Sequence, residues 1–366
     1  MAFSRRRASR IASLSWCRSN INVDYTRNRI AGVNRVSFCK MSVFKWGILG
    51  TGKIARRFMQ AAFYVPEAQV VAVGSRSQAT ANQFGAQFGV PKRYGSYDAL
   101  LADPEVEIVY VATPHSLHAE NTLAALQAGK HVLCEKPFTL NAAQAEQVIH
   151  AARASGKFVM EGMWTRCFPV VREIVRRLQA GELGEVRVVI ADFGFRAPFD
   201  PASRLFAPEL GGGALLDVGV YPVALAFMVL GAPKQTLATA TLGSTGVDEL
   251  CSIVFTYENG AHALLNASLR VDTPKQAHIC GTNARITIPE PWWKPSEAYL
   301  IRTDGTTEHL LYPYEGDGLQ FEIRHVHDCL RQRLTESPWM PLDETLAIMR
   351  VLDTLRAQWG VRYPGE

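Results

Sequence analysis

Hydrophobic and polar positions divide the chain into two rhythms. From Lys45 to Glu161 short apolar runs alternate with amphipathic stretches of helical period. The runs are Lys45–Leu49, Ala68–Val73, Val106–Thr113, His131–Cys134 and Phe158–Glu161. Between them lie helical patterns over Arg56–Val65, Ser77–Gly89, His118–Gly129 and Ala142–Gly156, the last opened by Asn141 as a cap. Val106–Thr113 is almost wholly apolar, which predicts a strand covered on both faces. This β-α-β-α alternation predicts a parallel, doubly wound sheet.

After about residue 165 the rhythm changes. One helix, Val170–Gly184, gives way to eight strand-like runs: Val186–Phe195, Gln235–Gly243, Leu250–Tyr257, Ala261–Arg270, Gln276–Gly281, Ala284–Pro289, Ala298–Thr303 and Glu308–Tyr312. Asn259-Gly260 and Asp304-Gly305 carry hairpin-turn chemistry. A helix over Gly211–Gly231 interrupts the strands, and two more helices begin near Leu319 and Asp343. The expected architecture is α/β plus α+β: a doubly wound domain over 41–165, then a domain over 166–366 with a large open antiparallel sheet. One face of that sheet packs on helices. The other needs a cover, which predicts a homodimer formed sheet to sheet.

Composition changes this picture little. The 366 residues are 48% hydrophobic, enough for a sizeable core. The net charge of +5 is concentrated in residues 1–40, which hold nine Lys/Arg against a single acid, Asp24. The basic balance therefore gives no argument for nucleic acid. That segment is Arg- and Ser-rich, and two readings stand: a mitochondrial-type presequence, or, favoured, a start assigned too early, with Met41 opening the first element. In either case 1–40 is expected to be a non-structural extension, and the chain cytoplasmic unless the presequence is real. Seven scattered cysteines without a C-x-x-C pair predict neither a disulfide framework nor a zinc site. His325 and His327 alternate on a helical pattern and share no face, so no metal is expected. The apolar run Val218–Ala232 is short of a membrane span and broken by Gly219, Pro222 and Gly231, so it predicts a core helix and no membrane partner.

Gly50-Thr51-Gly52-Lys53-Ile54-Ala55 follows the first strand and opens the first helix. The first glycine makes the tight turn, the second admits a pyrophosphate, and the helix N-terminus faces it. The strand-turn-helix setting makes this a dinucleotide site. At the end of the second strand an acid would select NAD. The chain has Gly74-Ser75-Arg76-Ser77 there, two hydroxyls and a guanidinium suited to a 2′-phosphate, so NADP is expected over NAD. If Arg76 only stacks on the adenine, both cofactors remain usable.

The fourth strand ends on Glu135-Lys136-Pro137, at the edge of the sheet where ligands bind. Alone, Lys136 reads as a solvated surface lysine. Asp217 and Tyr221 stand four apart on an expected helix and share a face; alone, they read as a cap and a core-edge aromatic. Together the three suit proton transfer. Tyrosine near its ordinary pKa of about 10 is a poor base at neutral pH. A neighbouring ammonium favours the phenolate. The expected pair is Tyr221 as acid/base with Lys136 lowering its pKa, and Asp217 orienting the lysine or the substrate.

Gly50-x-Gly52-x-x-Ala55, Thr113-Pro114 with His118, Gly129-Lys130-His131, Glu135-Lys136-Pro137 and Asp217-x-x-x-Tyr221 together resemble the Gfo/Idh/MocA family of nicotinamide oxidoreductases, over 43–366. Tyr221, Glu161-Gly-Met-Trp-Thr-Arg166, Gly211–Leu216 and the ending Gly360–Pro364 are similar to its branch of NADP-dependent dihydrodiol and D-xylose dehydrogenases. The resemblance implies a catalytic role for Lys136, and NADP contacts from Thr113, Pro114, His118, Glu135, Lys136, Trp164 and Arg166. Cys167 and the loop from Arg196 to Leu210 depart from that branch. Trp164, Arg166, Phe193, Phe195 and Trp292 are expected pocket walls, each equally readable as core. The expected activity is hydride transfer from a hydroxyl-bearing carbon of an aldose or trans-dihydrodiol. The alternative is an NADP(H)-binding sensor without turnover.

Overall fold

The computed structural model describes residues 43–366; the readings made for 1–40, with Cys17 and Cys39, lie outside them. Six strands, β1 (Phe44–Leu49), β2 (Ala68–Gly74), β3 (Lys92–Tyr94), β4 (Ile108–Val111), β5 (His131–Glu135) and β6 (Val159–Gly162), form a sheet in the order β3-β2-β1-β4-β5-β6. Every pairing is parallel. Strand order reverses between β1 and β4, which opens the crevice where such sheets bind ligands. All four residues of β4 are buried, as its apolar run predicts.

Helices α1 (Lys53–Ala62), α2 (Gln78–Phe88), α3 (Tyr97–Leu101), α4 (His118–Gln127) and α5 (Ala142–Ser155) connect these strands. The Asn141 side chain caps α5 by accepting from the Gln144 N–H. β3 and α3 leave no mark on the hydrophobic pattern, because three and five residues are too few to show a period.

Beyond α6 (Pro169–Gln179) lie β7 (Val186–Gly194), α7 (Val220–Leu230), β8 (Gln235–Leu242), β9 (Asp248–Thr256), β10 (His262–Ser268), β11 (Ala277–Gly281), β12 (Ala284–Ile288), β13 (Glu297–Arg302) and β14 (Thr307–Leu311). These eight strands form one sheet, β14-β13-β12-β11-β7-β10-β9-β8. The expected large antiparallel sheet is present, with one exception: β7 and β10 run parallel. Alternation within a strand reports its faces and not its neighbour's direction.

α7 lies against β7 and β10 on the inner face of this sheet. It continues a wide π turn, Leu215–Gly219, where a plain helix was expected. Pro222 has no N–H to offer the Val218 carbonyl, which breaks the α-helical ladder there. The segment Pro208–Leu230 is long and apolar enough to cross a bilayer, longer than the expected run of 218–232, and only residues 214–230 of it are continuously helical. Within the protein 83% of its window is buried.

The last helices, α8 (Leu319–Arg331) and α9 (Leu342–Trp359), return to the first sheet: α8 packs on α1, and α9 on α5, β6, α7 and β8. The Trp46 Nε1–H donates to His327 Nε2 at 3.0 Å, and Phe44 stacks on the same imidazole at 4.0 Å. His325 turns away and meets Ser337 Oγ at 2.7 Å, as two positions two apart on a helix must.

Burial lowers the His327 pKa to about 3, with the Arg331 charge adding to the effect. The imidazole is neutral when folded, whereas an unfolded one takes a proton below about 6.5. Stability from this group is therefore complete above that pH and is lost as pH falls toward the folded value. His327→Gln still offers Trp46 an acceptor and cannot protonate. Between pH 6.5 and 5 it is expected to lose about 2 kcal/mol less stability than the wild type, measured by urea unfolding.

Candidate active site

A cleft of about 800 Å³ opens at the carboxyl ends of β1, β4 and β5. At one end lies the glycine turn. Gly50 has φ +104°, and a Cβ there would stand 2.6 Å from the Ala112 carbonyl oxygen. Gly52 caps α1 without a side-chain hydrogen bond, and a Cβ there would meet nothing within 4 Å. No acid lies in the first turn of α1. The open N–H groups, the positive helix end and the vacant space beside Gly52 fit a pyrophosphate.

Thr51, Lys53 and Ile54 line the same end, with Ser75 and Arg76 beyond them. Thr113 and Pro114 line it from the end of β4. His118 also borders the cleft, but its ring is occupied: Nδ1 lies 2.7 Å from the Pro137 carbonyl and Nε2 3.0 Å from that of Thr113. It ties the two strand-end loops together. Burial, opposed by those carbonyls, lowers its pKa to about 4.

The other end carries the titratable groups. The π turn disrupts the i→i+4 ladder, and the Asp217 carbonyl accepts from Lys136 Nζ at 2.5 Å. Lys136 Nζ also lies 3.4 Å from Asp217 Oδ1, and Arg204 Nη1 donates to that oxygen at 2.7 Å. Burial alone would raise the Asp217 pKa. The charges of Lys136 and Arg204, with His115 beside them, override it and hold the carboxylate well below its usual range.

Tyr221 reaches the cleft from α7, buried, with its hydroxyl accepting from Trp164 Nε1 at 2.9 Å. Lys136 Nζ stands 4.9 Å from the centre of the phenol ring, directed at Asp217 and not at the hydroxyl. Burial and the charge of Glu135 push the phenol well above its ordinary pKa, while Trp164's donation opposes them. The shift is opposite to the expected lowering by Lys136, because burial and the neighbouring carboxylates outweigh the nearby cations. Phe193 forms the next wall, 5.3 Å from the Tyr221 ring and stacked on Trp293 at 3.6 Å. Phe195 lines the cleft as well.

Three expected site residues lie elsewhere. Ser77 accepts from the Thr80 N–H as the cap of α2 and does not line the cleft. Arg166 is buried with Glu344 and the carbonyls of Ala224 and Trp339, so its charge is spent on joining α7 to α9. Trp292 points into the core and donates to the Asp192 carbonyl at 2.7 Å; the adjacent Trp293 takes the wall position. The cleft also gathers Arg57, His115 and Arg204, which sequence reasoning passed over. Position was their only signal: His115 follows Thr113-Pro114, and Arg204 lies in the divergent loop.

A dinucleotide cradle joined to a lysine, aspartate and tyrosine cluster defines a nicotinamide oxidoreductase site. The chain belongs to the Gfo/Idh/MocA oxidoreductase family: residues 44–163 match its NAD-binding Rossmann fold and 171–287 its C-terminal domain. It is 39% identical over 330 residues to the trans-1,2-dihydrobenzene-1,2-diol dehydrogenase of Xenopus laevis, covering 87% of this chain and 99% of that one. The Homo sapiens enzyme of the same name is 34% identical, covering 88% and 98%. Among solved structures, a 3-ketoreductase from Actinomadura kijaniata in complex with NADP and TDP-benzene superposes with TM-score 0.77 at 30% identity, covering 86% and 98%. An aldose-aldose oxidoreductase from Caulobacter crescentus superposes with TM-score 0.79 at 25% identity, covering 87% and 98%.

The two fingerprint glycines are expected to respond differently to alanine. Gly50→Ala drives a methyl group into a carbonyl at positive φ and is expected to cost about 1–3 kcal/mol. Gly52→Ala meets open space, so its melting temperature is expected to match the wild type in the same calorimetric scan.

Proposed function

We propose that this chain is an NADP-dependent dehydrogenase interconverting a hydroxyl-bearing carbon and a carbonyl on a trans-dihydrodiol or an aldose such as D-xylose. The observation that carries the reading is the meeting of Lys136, Asp217 and Tyr221 at the far end of a cleft that begins at the glycine turn. Gly50, Thr51, Gly52, Lys53 and Ile54 would hold the pyrophosphate, and Ser75 with Arg76 the 2′-phosphate. The cofactor supplies the hydride acceptor or donor. Relatives named for a dihydrodiol, and a structural neighbour holding NADP, support the same class.

Within the cleft, Tyr221 moves the proton. Its phenol is kept neutral by burial and by Glu135, the form that gives a proton to the oxygen when a carbonyl is reduced. In the oxidative direction it must first lose that proton. Lys136, over the ring face, stabilises the phenolate through its field, and Asp217 fixes the ammonium there. Trp164 holds the hydroxyl in place, and Phe193 with Trp293 gives the substrate an apolar wall.

We further propose that a second copy covers the open face of the eight-stranded sheet. Ile190, Leu264, Val254 and Leu237 are in register across β7, β10, β9 and β8. Ile190, Leu264 and Leu237 are exposed at 39%, 43% and 53%, an apolar stripe that charged substitutions would disrupt. Leu264→Glu is expected to give a monomer by sedimentation equilibrium where the wild type gives a dimer.

Tyr221→Phe is expected to lower turnover by about 10²–10⁴-fold while NADPH binding, followed by fluorescence titration, stays intact. Retention of most turnover would remove the tyrosine from the mechanism. Because the phenol pKa is raised, kcat/KM for oxidation is expected to climb with pH through the neutral range, while reduction stays flat. Initial NADP⁺ reduction with D-xylose, D-glucose and a trans-dihydrodiol ranks the substrates. A hundredfold preference corresponds to about 2.7 kcal/mol of discrimination at the pocket wall.

A further inference from the structure

Glu322, near the start of α8, has no exposed surface, and neither of its carboxyl oxygens finds a hydrogen-bond partner among the described residues. It does not line the cleft. An ionised carboxylate without donors is among the most costly groups a protein interior can hold, and such a group takes up a proton instead. The groups around it come from four elements: Glu135 from β5, Arg57 from α1, Tyr110 from β4 and Cys167 from the turn after β6. Arg57 is the cation among them, and its Nε is already committed to Asp317.

Glu135 is placed differently. The Tyr110 hydroxyl donates to its Oε1, and the Lys136 backbone N–H to its Oε2 at 3.3 Å. Two neighbouring buried carboxyl groups do not both ionise. The donors assign the charge to Glu135 and the proton to Glu322.

Two short chains of contacts lead from this pair to the reacting groups. Glu135 adjoins Lys136, which holds Asp217. Arg57 lies with its guanidinium carbon 4.9 Å from the centre of the Trp164 ring, and Trp164 donates to the Tyr221 hydroxyl. A charge on Glu322 would compete for Arg57 and draw it from the indole. We propose that Glu322 is a positioning residue: as a neutral acid behind the cleft, it leaves Arg57 on Trp164 and Glu135 as the single charge beneath Lys136. The consequence for turnover rests on the reading of Tyr221 as the proton-transfer group; the protonation itself does not.

Glu322→Gln keeps the shape of the neutral acid and cannot ionise. Urea unfolding of both full-length proteins at pH 6, 7 and 8 tests the proton. The unfolded glutamate is ionised above about 4.3, so wild-type folding takes up a proton that variant folding does not. Relative to the variant, the wild-type folding constant is expected to fall about tenfold per pH unit. Equal pH dependence of the two proteins overturns the proposal.

The Trp164 indole N–H resonance, assigned with Trp164→Phe, tests the coupling. It is expected to shift on alkaline titration of the wild type and to stay fixed in Glu322→Gln. Identical titrations overturn the positioning role. At pH 7, kcat/KM for NADP⁺-linked oxidation of a trans-dihydrodiol is expected to agree within twofold between the two proteins, and a tenfold deficit in a folded variant means that Glu322 acts as a carboxylate. If the wild type turns over no substrate, the function proposed above fails, while the unfolding and resonance measurements still decide the state of Glu322.

Discussion

A carboxylate sealed from water has to be neutralised where it stands, and the geometry of this cleft follows from how that is done for Asp217. Only 5% of its side chain is exposed, and two cations from distant parts of the chain close on it: Lys136 from the end of β5 and Arg204 from the loop after β7. Removing either would leave a buried charge part-compensated, the costly way to break such a cluster. The cluster therefore fixes three things at once. It holds the lysine over the Tyr221 ring, the loop against the mouth of the cleft, and the start of α7 at the edge of the first sheet. Tyr221 is aimed by a constraint that acts four residues before it.

The glycine run that precedes Asp217 serves the same end through shape. A Cβ on Gly211 would press on His115 and Leu140, one on Gly212 on the loop around Leu205, and one on Gly213 would lie 2.5 Å from Asp248 Oδ1. Asp248 in turn receives the Leu215 N–H at 2.6 Å, so a buried carboxyl caps the start of the π turn. Burial raises that carboxyl to about pH 6, with the backbone donors opposing the shift. The helix carrying Tyr221 is thus seated by backbone close approach on one side and by a side-chain acceptor on the other. Neither contact leaves room for a longer residue.

Much of this was legible in the residues and some of it could not have been. The strand-turn-helix around Gly50, the charged end of β5 and the Asn141 cap are local, so their meaning is written in adjacent positions. The π turn is not, since Pro222 is its main local sign and an ordinary helix also tolerates proline in its first turn. Arg166 looks like a ligand in isolation; its counter-charge, Glu344, lies 178 residues further on. Trp292 and Trp293 are indistinguishable by type, and only the folded loop, with the two rings 86° apart, decides which one faces the cleft. Parallel pairing of β7 with β10 is likewise a property of the whole sheet. Local chemistry reads from sequence; which distant group neutralises it does not.

The return of α8 and α9 to the first sheet has a consequence for the order of synthesis. The indole of Trp46 belongs to the first described strand, and its acceptor, His327, lies 281 residues later. Val159 on the edge strand β6 likewise waits for its bridge to Glu336. A ribosome adding about 5–20 residues per second takes many seconds to cover that interval. From the completion of β6 at Gly162 onward the nucleotide-binding half has all six of its strands and lacks part of its covering layer. The nascent chain carries exposed apolar surface on the α1 side of that sheet until translation is nearly finished, and chaperones would have their longest opportunity there.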